Sequence, residues 1–309
     1  MGIKDNKKLF DQLKQLLTEQ RNPETLDIDL AGAGEIVSMI NREDALVAGC
    51  VKQRLPRIAE AVELVKEAIE EGGRLLYFGA GTSGRLGILD AAECPPTFGI
   101  KPGVVQGFIA GGKEAVFQSR EGAEDEESAG AADAAGAAVN PPDVICGLAA
   151  SGRTPYVHGA IREARKRGCK TIFVTTVPED QVSLDVDIMI DVVVGPEVIM
   201  GSTRMKSATA QKMILNMITT GAMVRMGKVY ENVMVDLMLT NNKLKERAKR
   251  IIMFLADKNY SEATDLLIQA DGHVKTALMI ALTGLDKSSC ESLLEKNSGF
   301  IRRALKDNS

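Results

Sequence analysis

Residues 74–78 (RLLYF) form a short apolar run that passes straight into GAGTSGRLGILDAAECPP over residues 79–96, and this junction constrains the fold more than any other stretch. An apolar run of that length bounded by glycine reads as a buried strand, and the residues after it as a helix. A strand that enters a helix through glycine, threonine and serine leaves the first helical amides without internal partners, which is anion-binding geometry. Gly81 and Gly84 allow close backbone approach, while Thr82 and Ser83 offer hydroxyls. The same residues spell GxGxxG at Gly79, Gly81 and Gly84, a weak pattern when it stands alone. A dinucleotide site expects an acidic residue about 20 positions on. That region here is KPGVVQGFIAGG, without an acid, so the turn is read as a site for a small phosphorylated ligand.

Apolar runs recur at residues 104–110, 144–149, 171–175 and 188–193, mostly separated by helical patterns. Alternation of this kind predicts an α/β fold with a doubly wound parallel sheet flanked by helices. A helical layer over residues 42–71, broken or kinked at Pro56, precedes the first strand. Residues 122–142 are alanine, glycine and acid, and read as a solvated helix followed by a loop ending at Pro141 and Pro142. Beyond Asn242 the texture changes to short amphipathic helices at residues 248–255, 260–269, 274–282 and 288–294. The expected division is a catalytic sheet domain over 1–242 and a small helical bundle over 243–309.

Two further turns repeat the first device. The run at 144–149 leads into Ala150, Ser151, Gly152, Arg153, Thr154 and Pro155, then a helix to Arg167. Pro155 suits the first helical position; Ser151, Gly152 and Thr154 either cap the helix or bind an anion. The carboxyl edge of an open α/β sheet is where such folds bind ligands, which favours the second reading. The third turn runs from Gly201 through Ser202, Thr203, Arg204, Met205, Lys206 and Ser207 into SATAQKMILNMITTGAMV. Arg204 and Lys206 can hold a phosphate or carboxylate there, or serve as surface charges or a subunit ion pair. The methionines between 205 and 238 are read as core or dimer packing.

The net charge of −4 argues against nucleic acid or an anionic membrane as the main partner. The N-terminal MGIKDNKKLFDQLKQLL is an amphipathic helical pattern without a signal peptide's continuous apolar region, and no run of about 18 apolar residues occurs. A cytoplasmic protein is expected. Five cysteines, Cys50, Cys94, Cys146, Cys169 and Cys290, lack CxxC spacing, so neither a disulfide framework nor a zinc site is implied. With only His158 and His273 present, catalysis falls to carboxylates.

The segments GAGTSGRLGILDAAECPPTFG, IAGG, EGAED, AASGRTPYV, GSTRMKSATAQK, NMI with MVDL, and SGFIRRAL cover nearly the whole chain. In them the sequence resembles the sugar isomerase (SIS) proteins and, within these, the N-acetylmuramic acid 6-phosphate etherases. The resemblance implies cleavage of the D-lactyl ether of a phosphorylated amino sugar with water, without metal or redox cofactor. It assigns proton donation to the glutamate of AECPP, here Glu93, and a second active-site role to the second glutamate of EGAED, here Glu124. One group takes a proton and one gives it, as an elimination requires. Pro95 and Pro96 predict a helix end beside Glu93, where the helix dipole is negative.

A regular helix from Ser83 to Glu93 would separate them by about 15 Å along its axis, too far for one hexose phosphate to span easily. Either that helix is short or bent, or Glu93 serves the phosphate turn of a second subunit, which predicts a homodimer. The sequence departs from the family pattern at Met200, Ser207 and Ala208, and at Ala31 and Gly32, where a helix cap is lost. Rival readings are a non-catalytic sugar-phosphate sensor resembling glucokinase regulatory protein and an aldose/ketose sugar phosphate isomerase. Presence of both Glu93 and Glu124 favours the etherase.

Overall fold

The computed structural model describes residues 16–239 and 241–308, so the amphipathic pattern expected at the N-terminus falls almost wholly outside the described residues. Five strands, β1 (Leu75–Gly79), β2 (Val105–Ile109), β3 (Val144–Leu148), β4 (Lys170–Thr175) and β5 (Ile188–Asp191), form one sheet in the order β2-β1-β3-β4-β5. Every pairing is parallel, with Leu75 opposite both Val105 and Val144, and Gly79 opposite both Ile109 and Leu148. β1 and β3 are buried along their whole length, which is why they read as unbroken apolar runs rather than alternating ones. The sheet expected from the sequence is the one observed. In this strand order the connections leave β1 and β3 in opposite directions, so the carboxyl ends of these two strands form the topological switch point.

The helical layer consists of α1 (Ala33–Lys52) and α2 (Leu55–Glu70), with Pro56 in the first turn of α2, where its missing amide costs nothing. Gly32 stands at the N-cap of α1 and supplies no side-chain cap, the loss read from Ala31 and Gly32. Ile58, Ala61, Val65 and Ala68 are buried at helical spacing, and Arg54 at the cap of α2 donates to Asp191 Oδ1 of β5 at 2.7 Å. Helix α3 (Gly81–Phe98) follows β1.

Helix α4 (Glu127–Gly136) keeps its acids Glu127 and Asp133 exposed, as the acid-rich sequence predicts, and packs its other face on α5 (Pro155–Lys166). Two glycines make this possible: a Cβ on Gly130 would lie 1.7 Å from Tyr156 O, and one on Gly159 1.9 Å from Glu127 O. Tyr156, fully buried, donates its hydroxyl to Asp133 Oδ2 at 2.6 Å. Helix α6 (Lys206–Arg225) buries Ala210, Ile214, Leu215, Ile218, Ala222 and Met223.

The described residues fall into two compact units, one of residues up to Ala91 with Val104–Ile218, the other of Ala92–Gly103 with residues from Thr219 onward. The second therefore takes in Ala92–Gly103 and Thr219 to Leu239, segments that the sequence division at 242 assigned to the sheet domain. It contains a hairpin of β6 (Val229–Tyr230) and β7 (Val233–Met234) and the helices α7 (Asn242–Ala256), α8 (Tyr260–Gln269), α9 (Val274–Thr283), α10 (Lys287–Lys296) and α11 (Ile301–Asp307). Asn241, Asn259 and Asp286 cap α7, α8 and α10, and Asn259 with Glu262 forms a reciprocal capping box. Two apolar clusters hold the bundle, one around Ile252, Ala263 and Ala277 and one around Leu278, Cys290 and Ile301. No described helix is long and apolar enough to cross a membrane.

Candidate active site

At the first turn, α3 opens with Gly81, and the first intrahelical bond runs from Gly84 N to Ala80 O at 3.2 Å. The amides of Gly81, Thr82 and Ser83 precede that bond, and the hydroxyls of Thr82 and Ser83 have no hydrogen-bond partner among the described residues. Gly84 is not part of the ligand-facing edge. It is buried, and a Cβ there would stand 2.7 Å from Ile109 Cγ1, so it serves the close approach of α3 to the sheet. On the same helix Arg85 donates to Ala115 O at 2.7 Å and to Val116 O at 2.8 Å, binding the connection that leaves β2 to the phosphate-type turn. Glu124 lies further along that connection, exposed, on a single turn (Ala123–Asp125) after Gly122.

The second turn leaves β3, the strand beside β1. Gly152 has φ +70°, and a Cβ would meet Val182 Cγ2 at 2.8 Å, so only glycine fits. His158 Nε2 lies 2.9 Å from Gly152 O. Burial pushes the imidazole below the ordinary histidine range despite that hydrogen bond, so the neutral ring carries its proton on Nε2 and donates it to the carbonyl. Thr154 occupies the N-cap of α5 without making a side-chain cap, and its hydroxyl has no partner among the described residues. Ser151 Oγ accepts a long 3.4 Å bond from Arg153 N.

The third turn is tied to the second by Thr176, whose hydroxyl lies 3.0 Å from both Ala150 O and Ser207 Oγ. Its helix terminus, however, is already occupied by protein. Glu197, fully buried, accepts from Lys206 N and Ser207 N at 2.9 Å each, filling the place an anionic ligand would take at the start of α6. Lys206 also departs from its sequence reading: the side chain is buried and Nζ donates to Glu43 Oε2 at 2.5 Å, so its charge is compensated inside the chain. Ser202 and Arg204 remain at the turn's surface, Arg204 exposed and without an ion-pair partner among the described residues.

Glu93 stands ten positions after Ser83 on a helix that is continuous past it, and it is exposed. The expected stop at Pro95 and Pro96 does not occur. Both prolines lie inside α3, which runs to Phe98, where Gly99 N donates to Pro95 O at 2.9 Å. Ala91, Cys94 and Phe98 are buried on one face, and that packing carries the chain through the two missing amides. Glu93 is therefore more than a turn from the helix end, and the dipole of the terminus does not act on it as the sequence implied. Glu93 belongs to the segment Ala92–Gly103, Glu124 to the sheet unit.

The sheet edge thus presents free hydroxyls at Thr82, Ser83 and Thr154 beside unpaired helix amides, a constellation suited to a phosphoryl group. The family model for the glucokinase regulatory protein N-terminal SIS domain matches residues 57–165, and that for the SIS domain matches 123–221. The chain is 55% identical to N-acetylmuramic acid 6-phosphate etherase of Salinibacter ruber over 302 residues, 97% of each chain. It is 50% identical to the enzymes of that name from Clostridioides difficile, over 96% of this chain and 98% of the relative, and Salmonella typhi, over 95% and 99%. The chain belongs to the N-acetylmuramic acid 6-phosphate etherase family.

Within this etherase family member, Glu43, Glu197, Thr176 and His158 hold the turns in place; the sequence reading passed over the first three and weighed His158 only as material for a metal centre or a Ser/His pair. Glu197 carried a legible signal, a lone carboxylate in the apolar stretch GPEVIM just ahead of the third turn. Burial raises the Cys146 thiol far above its ordinary range and Cys169 to about 11, so neither is a nucleophile at neutral pH. Among the described residues no group of three or more histidine, cysteine, aspartate or glutamate side chains is placed to hold a metal ion.

Proposed function

We propose that this chain cleaves the D-lactyl ether of N-acetylmuramic acid 6-phosphate with water, releasing N-acetylglucosamine 6-phosphate and D-lactate. The observation that carries this reading is the 55% identity to an etherase along 97% of both chains. The phosphate sits on the first turn through Thr82, Ser83 and the amides before Gly84, and on the second through Ser151, Gly152 and Thr154. Ser202 and Arg204 at the third turn complete the polar rim. Lys206 contributes indirectly, by fixing that turn on Glu43.

In the open-chain sugar, the proton at C2 is acidified by the neighbouring aldehyde. A carboxylate removes it, the electron pair forms the C2–C3 double bond, and the C3–O bond to lactate breaks as the departing oxygen receives a proton. Water then adds at C3 and a proton returns to C2, leaving a hydroxyl where the ether stood. Glu93 and Glu124 carry these transfers, Glu93 as proton donor and Glu124 as its partner. Continuity of α3 past Glu93 removes the short-helix alternative and leaves a bent helix or a shared site; we adopt a homodimer in which Glu93 of one protomer serves the phosphate turn of its partner. A cytoplasmic place in recycling of cell-wall amino sugars fits this substrate.

The test is release of D-lactate from N-acetylmuramic acid 6-phosphate in deuterated and in oxygen-18 water. Deuterium at C2 and labelled oxygen at C3 of the sugar product are expected, with lactate release lost in Glu93→Gln and Glu124→Gln. A folded chain that binds the sugar phosphate without releasing lactate would be a sensor, and the proposal would fail.

A further inference from the structure

Within the C-terminal unit a cavity of about 680 Å³ is lined by Gly99, Lys228, the segment Val235 to Leu239, and the start of α9. Part of its wall is apolar, from Val235, Leu237, Leu239 and Val274. The polar part is a cluster in which two ammonium groups converge on a single carboxylate oxygen: Lys275 Nζ lies 2.7 Å and Lys228 Nζ 3.1 Å from Asp236 Oδ2. The side chains of Lys275, Lys228 and Asp236 are 13%, 24% and 19% exposed, so the cluster is largely removed from water with two positive charges against one negative. Asp271 also lines the cavity, but its carboxylate is engaged by Lys287 Nζ at 2.5 Å.

Two ammonium groups bring more donors than one carboxylate oxygen accepts, and a half-buried surplus charge is costly until a counter-charge meets it. Burial holds the Lys275 ammonium below the ordinary lysine range, with Asp236 opposing the shift and Lys228 adding to it. A cavity of this size with an apolar wall and a few convergent polar groups has the character of a small-molecule site. None of its lining residues belongs to the strand-end turns at Ser83 and Ser151.

We infer that this cavity binds a small organic anion, with its phosphate or carboxylate on Lys228 and Lys275 and its apolar part against Leu237, Leu239 and Val274. It is a second ligand site, separate in its residues from the one that holds substrate.

Inorganic phosphate and acetate are the probes. Each is titrated calorimetrically into the full-length chain carrying Ser83→Ala and Ser151→Ala, which weakens anion binding at the strand-end turns. Saturable binding of at least one probe is expected, weakened about tenfold or more by Lys228→Met and by Lys275→Met, the loss of a charge-assisted hydrogen bond. Lys306→Ala, an exposed substitution, leaves it unchanged. Tighter phosphate marks a phosphorylated ligand, tighter acetate a carboxylate. Absence of binding for both probes, or binding indifferent to both lysine substitutions, overturns the inference. Should either methionine variant lose its helical circular dichroism, crystals of the unsubstituted chain soaked in selenate decide. An anomalous peak within hydrogen-bond distance of the Lys228 and Lys275 ammonium groups supports the site, and a blank map refutes it.

Discussion

Lys206 and Glu43 lie 163 positions apart in the chain, yet the ammonium of one rests 2.5 Å from a carboxylate oxygen of the other, both side chains buried. The pair fixes the helical layer to the start of α6, and Asn22 joins it by donating to the same Glu43 oxygen at 2.7 Å. Lys206→Met strands a buried carboxylate, so urea unfolding should register a loss of about 3–5 kcal/mol. The double substitution Lys206→Met with Glu43→Leu removes both charges together and should recover most of that loss.

The same pair sets a pH dependence. Burial alone would raise the Glu43 carboxyl, but hydrogen bonds from Lys206 and Asn22 outweigh it and hold the group below its ordinary value near 4.5. A folded value lying below the unfolded one means that the stabilisation is fully present above about pH 4.5 and is lost as pH falls through the lower, folded value. Stability measured from pH 7 down to pH 3 should decline in the wild-type chain, and more shallowly in Glu43→Gln, which starts from a lower plateau.

Gly130 and Gly159 allow α4 and α5 to touch backbone to backbone. Gly130→Ala places a methyl group where Tyr156 O now stands, and the helices must separate. The expected cost is about 1–3 kcal/mol or more, read as a lower urea midpoint with activity per folded molecule largely retained.

Hydroxyl removal at the strand ends should act on binding rather than on folding. Ser83→Ala and Ser151→Ala are each expected to raise KM roughly tenfold or more, the effect of one hydrogen bond to a charged group, with circular dichroism unchanged. Gly152→Ala should do more. Its φ of +70° costs an alanine about 1–2 kcal/mol, and Val182 crowds the added carbon, so both KM and stability suffer.

The strands were legible because a fully buried parallel strand carries its own boundary: residues 144–149 are apolar until the chain turns at Ser151, and β3 ends at Leu148. Turn chemistry placed Ser83 and Ser151 at strand ends, while the pairing of β1 with β3 that makes those ends neighbours came only with the fold. Long-range pairings left little local trace. Nothing near Lys206 announces Glu43, so the sequence leaves the lysine open between a ligand-facing cation, a surface charge and a subunit ion pair, and none of these is the buried pair within the chain. Pro95 and Pro96 misled in the opposite direction, since local rules end a helix there, while burial of Ala91, Cys94 and Phe98 holds it together. The packing of α4 was hidden because Gly130 and Gly159 signal flexibility in a sequence and contact in a fold. Helix α11, seven residues long, was too short to show a period.

A crystal of the full chain grown with N-acetylglucosamine 6-phosphate tests the central claim most directly. The phosphoryl group is predicted within hydrogen-bond distance of the Ser83 and Ser151 hydroxyls, with C3 of the sugar facing Glu124 and a Glu93 side chain. A phosphoryl group bound away from both serines would contradict the account.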